Sequence, residues 1–179
     1  MGAPSADDGR QQDTQGPSIT YRQYSGEQDL PIVMHLVDNE LSEPYSIFTY
    51  RYFLHYWPKL CFLAFSGDRP VGVVICKLDR HREQAMRGYV AMLVVDKQCR
   101  GKGVGSELVR KSIQAMIEGK CEEVALEAEV TNQGALKLYQ GLGFIRDKRL
   151  HRYYLNGVDA YRLKLLLPLS EEQESAPTA

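Results

Sequence analysis

Nowhere does the chain carry an apolar run approaching the roughly 18 residues that a membrane-spanning helix needs. Its N-terminus also lacks the apolar core of a signal peptide. An excess of either charge is missing too: 22 Lys and Arg stand against 23 Asp and Glu, a formal net charge of −1. So even a balance gives no global argument for a membrane or a specific nucleic acid as the main partner. Cysteine is sparse and unpatterned. Cys61, Cys76, Cys99 and Cys121 show neither CxxC nor Cys/His ligand spacing. Free buried thiols in a metal-free cytoplasmic chain are therefore expected rather than a disulfide framework or a zinc site. No internal repeat is visible, and His35, His55, His81 and His151 pair with no nucleophile or ligand. What remains is one domain of 179 residues, long enough to bury about two thirds of its unfolded surface.

Residues 1–17 and 170–179 are polar and aperiodic and are expected to be a disordered leader and tail, leaving 18–169 as the folded domain. Inside it, residues 18–24 predict a strand. Residues 28–39 and 46–57 predict helices, kept apart by Leu41-Ser42-Glu43-Pro44-Tyr45 because Pro44 cannot continue a helix. Strands over 60–65 and 71–78 flank a turn cluster, and 88–95 is an almost unbroken apolar run, as in a strand covered on both faces. A helix over 104–118 is ended by Gly119 and followed by a strand over 123–130. Asn132 then opens a helix whose stripe is Ala135, Leu138, Tyr139 and Leu142, closed by Gly143. Strands over 144–155 and 158–167 surround Asn156-Gly157, a strong hairpin signal. The sum is an α/β chain with a mixed sheet of about seven strands and four helices.

The junction from Val95 through Arg100, Gly101, Lys102, Gly103, Val104, Gly105 and Ser106 leaves an apolar strand and enters a helix. Alternating glycines permit positive φ and close approach of a ligand. The first N–H groups of the helix lack intrahelical partners and lie at the positive end of its dipole, which suits a phosphate. A flexible connecting loop is the plain alternative. Lys102 is followed by Gly103, so no Walker A loop is present, and Ser106 stands where a Rossmann turn needs its third glycine. What survives is Arg100-x-x-Gly103-x-Gly105. This resembles the pyrophosphate motif of the GNAT superfamily of acyl-CoA N-acyltransferases, and Asn132 with Tyr139-x-x-x-Gly143-Phe144 resembles the second part of that pattern.

The resemblance, over about residues 18–167, implies the GNAT fold with acetyl-CoA in the splay between two central parallel strands. Leu93, Val94 and Val95 would then pair with the cofactor through their main chain, and one of their N–H groups would face the thioester oxygen. Arg100 to Ser106, Asn132 and Tyr139 complete the implied cofactor site. Acetyl transfer to an amine needs a proton acceptor. Glu127 and Glu129, two apart on one strand, share a face with Cβ atoms about 7 Å apart, near enough for each to raise the other's pKa. Glu127, closer to the centre of the sheet, is the candidate base, while Glu129 is as readily a solvated side chain. Tyr139 is either a packing residue on its stripe or, by resemblance, the acid beside the CoA sulfur. Tyr89, on the face expected to hold Ala91 and Leu93, either orients the amine or packs in the core.

Two further segments bear on the acceptor. Leu41, Glu43 and Tyr45 resemble the peptide-binding loop of protein N-terminal acetyltransferases, and Tyr153-Tyr154 resembles their paired tyrosines, though cross-strand aromatic packing would also explain that pair. With RGYVAMLVVD and KRLHRYYLNGVDAYRLKL, these segments resemble catalytic chains of the NatC type. That implies nascent N-termini that retain Met before a bulky hydrophobic residue, a large helical auxiliary subunit, a small Lsm-like subunit, and ribosome association through the complex. The helix over 46–57 carries aromatic groups almost all round, which suits burial against the sheet on one side and a partner on the other. A GNAT enzyme acting on lysine or a small amine, and a CoA-binding module without turnover, are the competing readings.

Overall fold

The computed structural model describes residues 16–40, 45–82 and 84–168. Leu41 and Glu43 of the expected acceptor loop lie outside the described residues, as do the tail at 170–179 and all of the leader except Gly16 and Pro17. Chain order is β1 (Ile19–Gln23), α1 (Leu30–Glu40), α2 (Ile47–Tyr56), β2 (Phe62–Ser66), β3 (Arg69–His81), β4 (Ala85–Val95), α3 (Val104–Glu118), β5 (Glu123–Glu129), α4 (Gln133–Gly141), β6 (Ile145–Leu150) and β7 (Ala160–Leu166). The strands form one seven-stranded sheet in the order β1-β2-β3-β4-β5-β7-β6. Its pairs are antiparallel except β4–β5, which is parallel.

A core lies on each face of the sheet. Leu108, Ile113 and Met116 of α3 pack with Val74, Cys76, Val90, Val124 and Leu126 on one side. Val33 and Val37 of α1 and Tyr50 and Leu54 of α2 pack with Val73, Ile75, Met92 and Val94 on the other. The strand covered on both faces is β3, buried from Val71 to Cys76, rather than β4. In β4 buried residues alternate with half-buried Tyr89, Ala91, Leu93 and Val95, of which Tyr89, Leu93 and Val95 border surface hollows. All four cysteines are free and buried, and burial pushes the Cys61 thiol up to about 12.

Ser46 caps α2 by accepting from the Thr49 N–H, and α2 buries Tyr50 and Leu54 while Phe48 and Tyr56 are 76% and 67% exposed. Trp57, the one tryptophan, ends this helix against the sheet, its indole N–H donating to Leu78 O at 2.9 Å. The expected long strand over 144–155 stops at Leu150, and β7 begins only at Ala160. Asn156-Gly157 does not join the strands directly. It sits in a wider connection held by Asp159, which accepts from Arg149 Nε and Arg152 N–H, both at 2.8 Å. The Asn156 side chain accepts from Val158 N–H, and Gly157 takes φ 80°. Asn156-Gly157 does form a tight turn, Gly157 N–H donating to Tyr154 O at 2.9 Å and Tyr154 N–H to Val158 O at 3.2 Å. It closes this short loop, with the Asp159 carboxylate as its anchor, rather than two long strands.

Where β1 leads into α1, Asp29 is 2% exposed and receives both guanidinium nitrogens of Arg22 at 2.7 Å, plus Ser25 N–H and Oγ at 2.9 Å. The Arg22 hydrogen bonds outweigh burial and hold this carboxyl down at about 2, against an ordinary 3.8. A folded-state pKa below the unfolded one stabilises the fold fully above the ordinary range, and that contribution is lost as pH falls toward the lower value. Asp29→Asn is therefore expected to reduce unfolding free energy at neutral pH by about 2 kcal/mol. Urea titrations of both proteins should show the gap closing as pH drops from about 4 to 2.

Candidate active site

β4 and β5 pair only at Arg87–Glu123, Gly88–Val124 and Tyr89–Ala125. Beyond Tyr89 the two parallel strands part, so β4 presents an unpaired main-chain edge on that side from Val90 onward. A cavity of about 640 Å³ fills the opening, walled by Leu93, Val94 and Val95, by the turn at Arg100–Ser106, and by Asn132 and Leu138. Within the turn, Gly101 and Gly103 take φ 73° and 80°, conformations that a side chain would strain. Gly105 serves a different end: a Cβ there would come within 2.8 Å of Leu138 Cδ1, so the glycine lets α4 approach α3.

These residues fit the diphosphate and pantetheine of acetyl-CoA. The first N–H groups of α3 face no earlier helical carbonyl, and a free strand edge runs up to them. Lys102 is exposed and stands outside the cavity walls. Arg100 is engaged with protein: Nε donates to Val95 O at 3.0 Å and Nη2 to Glu40 Oε2 at 2.5 Å. Asn132 caps α4, accepting from Ala135 N–H at 3.1 Å.

On the opposite face of the splay the groups are side chains. Tyr89 OH donates to Glu127 Oε2 at 2.5 Å, and Arg162 donates to Glu127 Oε1 from Nη2 at 3.0 Å and Nε at 3.2 Å. The Glu127 side chain is 7% exposed. Burial, then the Glu127 carboxylate, pushes the Tyr89 phenol well above its ordinary value. The expectation that Tyr89 and Leu93 share a face fails. Ile75 pairs with Met92 and Cys76 with Val90, leaving Ala91 as a bulge that reverses the alternation. Tyr89 therefore faces the α1–α2 side with Glu127, while Leu93 packs toward α3.

Tyr153 and Tyr154 lie in the β6–β7 connection, not on a strand, with rings edge to face at 5.0 Å. Burial raises both phenols. For Tyr154 the next causes are Tyr153, Glu129, Glu127 and Tyr45. Tyr89 bonds Glu127 directly, and the charge of the same carboxylate contributes to raising the Tyr153 and Tyr154 phenols. Glu129 accepts instead from Thr131 and Asn156, at 3.4 and 3.5 Å, so the two glutamates have separate partners. Tyr139, expected in the cofactor site, is instead 5% exposed and packed against Phe144, ring centroids 5.4 Å apart, outside the cavity walls, and burial raises its phenol above the ordinary value. A second hollow of about 400 Å³ beside Tyr89 and Glu127, lined also by Lys77, Asp79 and Arg87, connects the carboxylate to solvent. Among the described residues no cluster of three His, Cys, Asp or Glu is placed to hold a metal.

Arg162 escaped the sequence reading. Its partner lies 35 residues away and meets it only through the β5–β7 register, which no local motif announces. The alternation of Arg162 and Lys164 with buried Leu163 and Leu165 was the one available signal.

The model of the Acetyltransferase (GNAT) family matches residues 30–144. The chain is similar to N-alpha-acetyltransferase MAK3 of Arabidopsis thaliana, 64% identical over 150 residues that cover 84% of this chain and 78% of that protein. It is 59% identical to human N-alpha-acetyltransferase 30 over 84% of this chain, a match that spans only 41% of the human protein. Among solved structures it resembles a chain of the NatC complex bound to Gag peptide and CoA, with TM-score 0.81 and 44% identity over 84% of this chain and 99% of that one.

Glu127→Gln is expected to lower turnover about 10²-fold while acetyl-CoA still binds. Tyr139→Phe should do the same. Arg162→Ala, which leaves the carboxylate present but unanchored, should cost about tenfold. Steady-state kinetics alongside calorimetric CoA binding read all three variants.

Proposed function

The chain belongs to the Acetyltransferase (GNAT) family, and on that footing we propose that it acetylates the α-amine of nascent chains that retain Met before a bulky hydrophobic residue. The observation that carries this reading is the buried Glu127 carboxylate, held by Tyr89 and Arg162, with the edge-to-face Tyr153–Tyr154 pair near enough for that charge to add to burial in raising both phenols. Aromatic walls around one engaged carboxylate suit an apolar first side chain whose amine must reach a proton acceptor. An α-amine, with pKa of about 7.7–8, is partly neutral at physiological pH, whereas lysine at about 10.4 is not. A carboxylate is thus a sufficient base for the first and a poor one for the second.

When bound, acetyl-CoA supplies the thioester whose acetyl group moves to the amine. Glu127 accepts the amine proton, Tyr89 and Arg162 fix the carboxylate while it does so, and a main-chain N–H within Leu93–Val95 stabilises charge on the acetyl oxygen. Tyr139, a phenol that is protonated at neutral pH, donates to the leaving sulfur.

The α2 face with Phe48, Tyr52 and Tyr56 exposed is assigned to a large helical auxiliary subunit, with a small Lsm-like subunit completing a NatC-type complex that works in the cytoplasm at the ribosome. A peptide panel tests the acceptor: Met-Leu and Met-Ile N-termini should be acetylated, and Ser- or Ala-starting peptides should not. Acetylation of internal lysine with silence on Met-Leu would overturn the reading in favour of a lysine acetyltransferase.

A further inference from the structure

The last turn of α1 carries Asp38 and Glu40 and no basic residue. Negative charge there opposes the helix dipole, so the arrangement needs compensation from elsewhere. Asp38 obtains it from α2, accepting the Tyr50 hydroxyl at 2.8 Å; Tyr50 is fully buried and meets the Tyr45 ring edge-on at 6.1 Å. Glu40 obtains it from the cofactor turn. Its side chain is 18% exposed, and its partner Arg100 lies 60 residues away. The same guanidinium holds Val95 O at the end of β4. Glu40 and Arg100 both wall the cofactor cavity, so α1, which packs on the acceptor face, reaches through one carboxylate to the opposite half of the site.

Arg100 has further N–H groups uncommitted among the described residues, since only Nε and one Nη2 donor are used. Phosphates held by the adjacent turn bring negative charge beside this guanidinium and restrict it. A restricted Arg100 in turn fixes Glu40 and with it the last turn of α1.

We propose that Glu40 is a positioning residue that transmits occupancy of the cofactor cavity, through Arg100, to α1 and the acceptor side, so that CoA and acceptor peptide bind with positive coupling. This inference rests on the acetyl-transfer reading above. Coupling between two sites is reciprocal and is measured as a ratio of affinities.

The test is calorimetric titration of the full chain with a Met-Leu peptide, without and with saturating CoA, which lacks an acetyl group and permits no turnover. In the wild-type chain CoA should tighten the peptide about fivefold or more. In Glu40→Gln the peptide Kd should become the same with and without CoA. Glu40→Asp keeps the charge on a shorter stem and should retain part of the coupling. A residue that merely stabilises α1 would lower Tm and leave the ratio intact. No coupling in the wild type, or a ratio in Glu40→Gln equal to the wild-type one, overturns the proposal. Should Glu40→Gln not stay folded, an undiminished ratio in Glu40→Asp overturns it instead. Failure of the wild-type chain to acetylate Met-Leu peptides counts against the underlying reaction, whereas normal acetylation with unchanged coupling counts against Glu40 alone.

Discussion

The arrangement of the site depends on one interruption: the parallel ladder between β4 and β5 stops after Tyr89–Ala125. Main-chain donors and acceptors left without a partner in a sheet interior are costly, and a fold tolerates such a gap where a ligand supplies the missing pairing. The bulge at Ala91 acts at the same place. It re-aims β4 within a single residue, so that Tyr89 serves the acceptor face while Leu93 helps wall the cofactor cavity. Loss of the ladder and reversal of the alternation together divide one strand between two substrates.

The two halves use different chemistry. On the cofactor side the working groups are N–H donors and glycines whose value lies in φ or in lacking a Cβ. On the acceptor side they are phenols, one carboxylate and one guanidinium. Backbone recognition depends on geometry and side-chain recognition on identity.

That difference explains how far the sequence could be read. The strand–glycine–helix junction was legible because phosphate binding imposes a local pattern, and α3 spans Val104–Glu118 as its stripe and Gly119 indicate. Glu127 and Tyr89 stood out singly, but their contact did not, since it depends on the parallel register that pairs Tyr89 with Ala125. The bulge that turns Leu93 to the other face is betrayed by no apolar run. Asn156-Gly157 misled because the turn signal was real while the strands beside it were short, the loop being governed by Asp159. Arg162 and Glu40 were silent for a common reason: each acts on a partner distant in sequence, and only the register of the sheet or the packing of α1 brings the pair together.

Trp57 closes α2 over the edge of the sheet, stacked edge-on with Tyr52 at 5.3 Å and hydrogen-bonded to Leu78 O. Because no other tryptophan is present, the tryptophan emission of this chain has a single origin. Its indole lines neither the cofactor cavity nor the hollow beside Glu127. Emission should therefore follow the seating of α2 on β3 and anything that covers its aromatic face, giving the protein a native optical probe of assembly distinct from its chemistry.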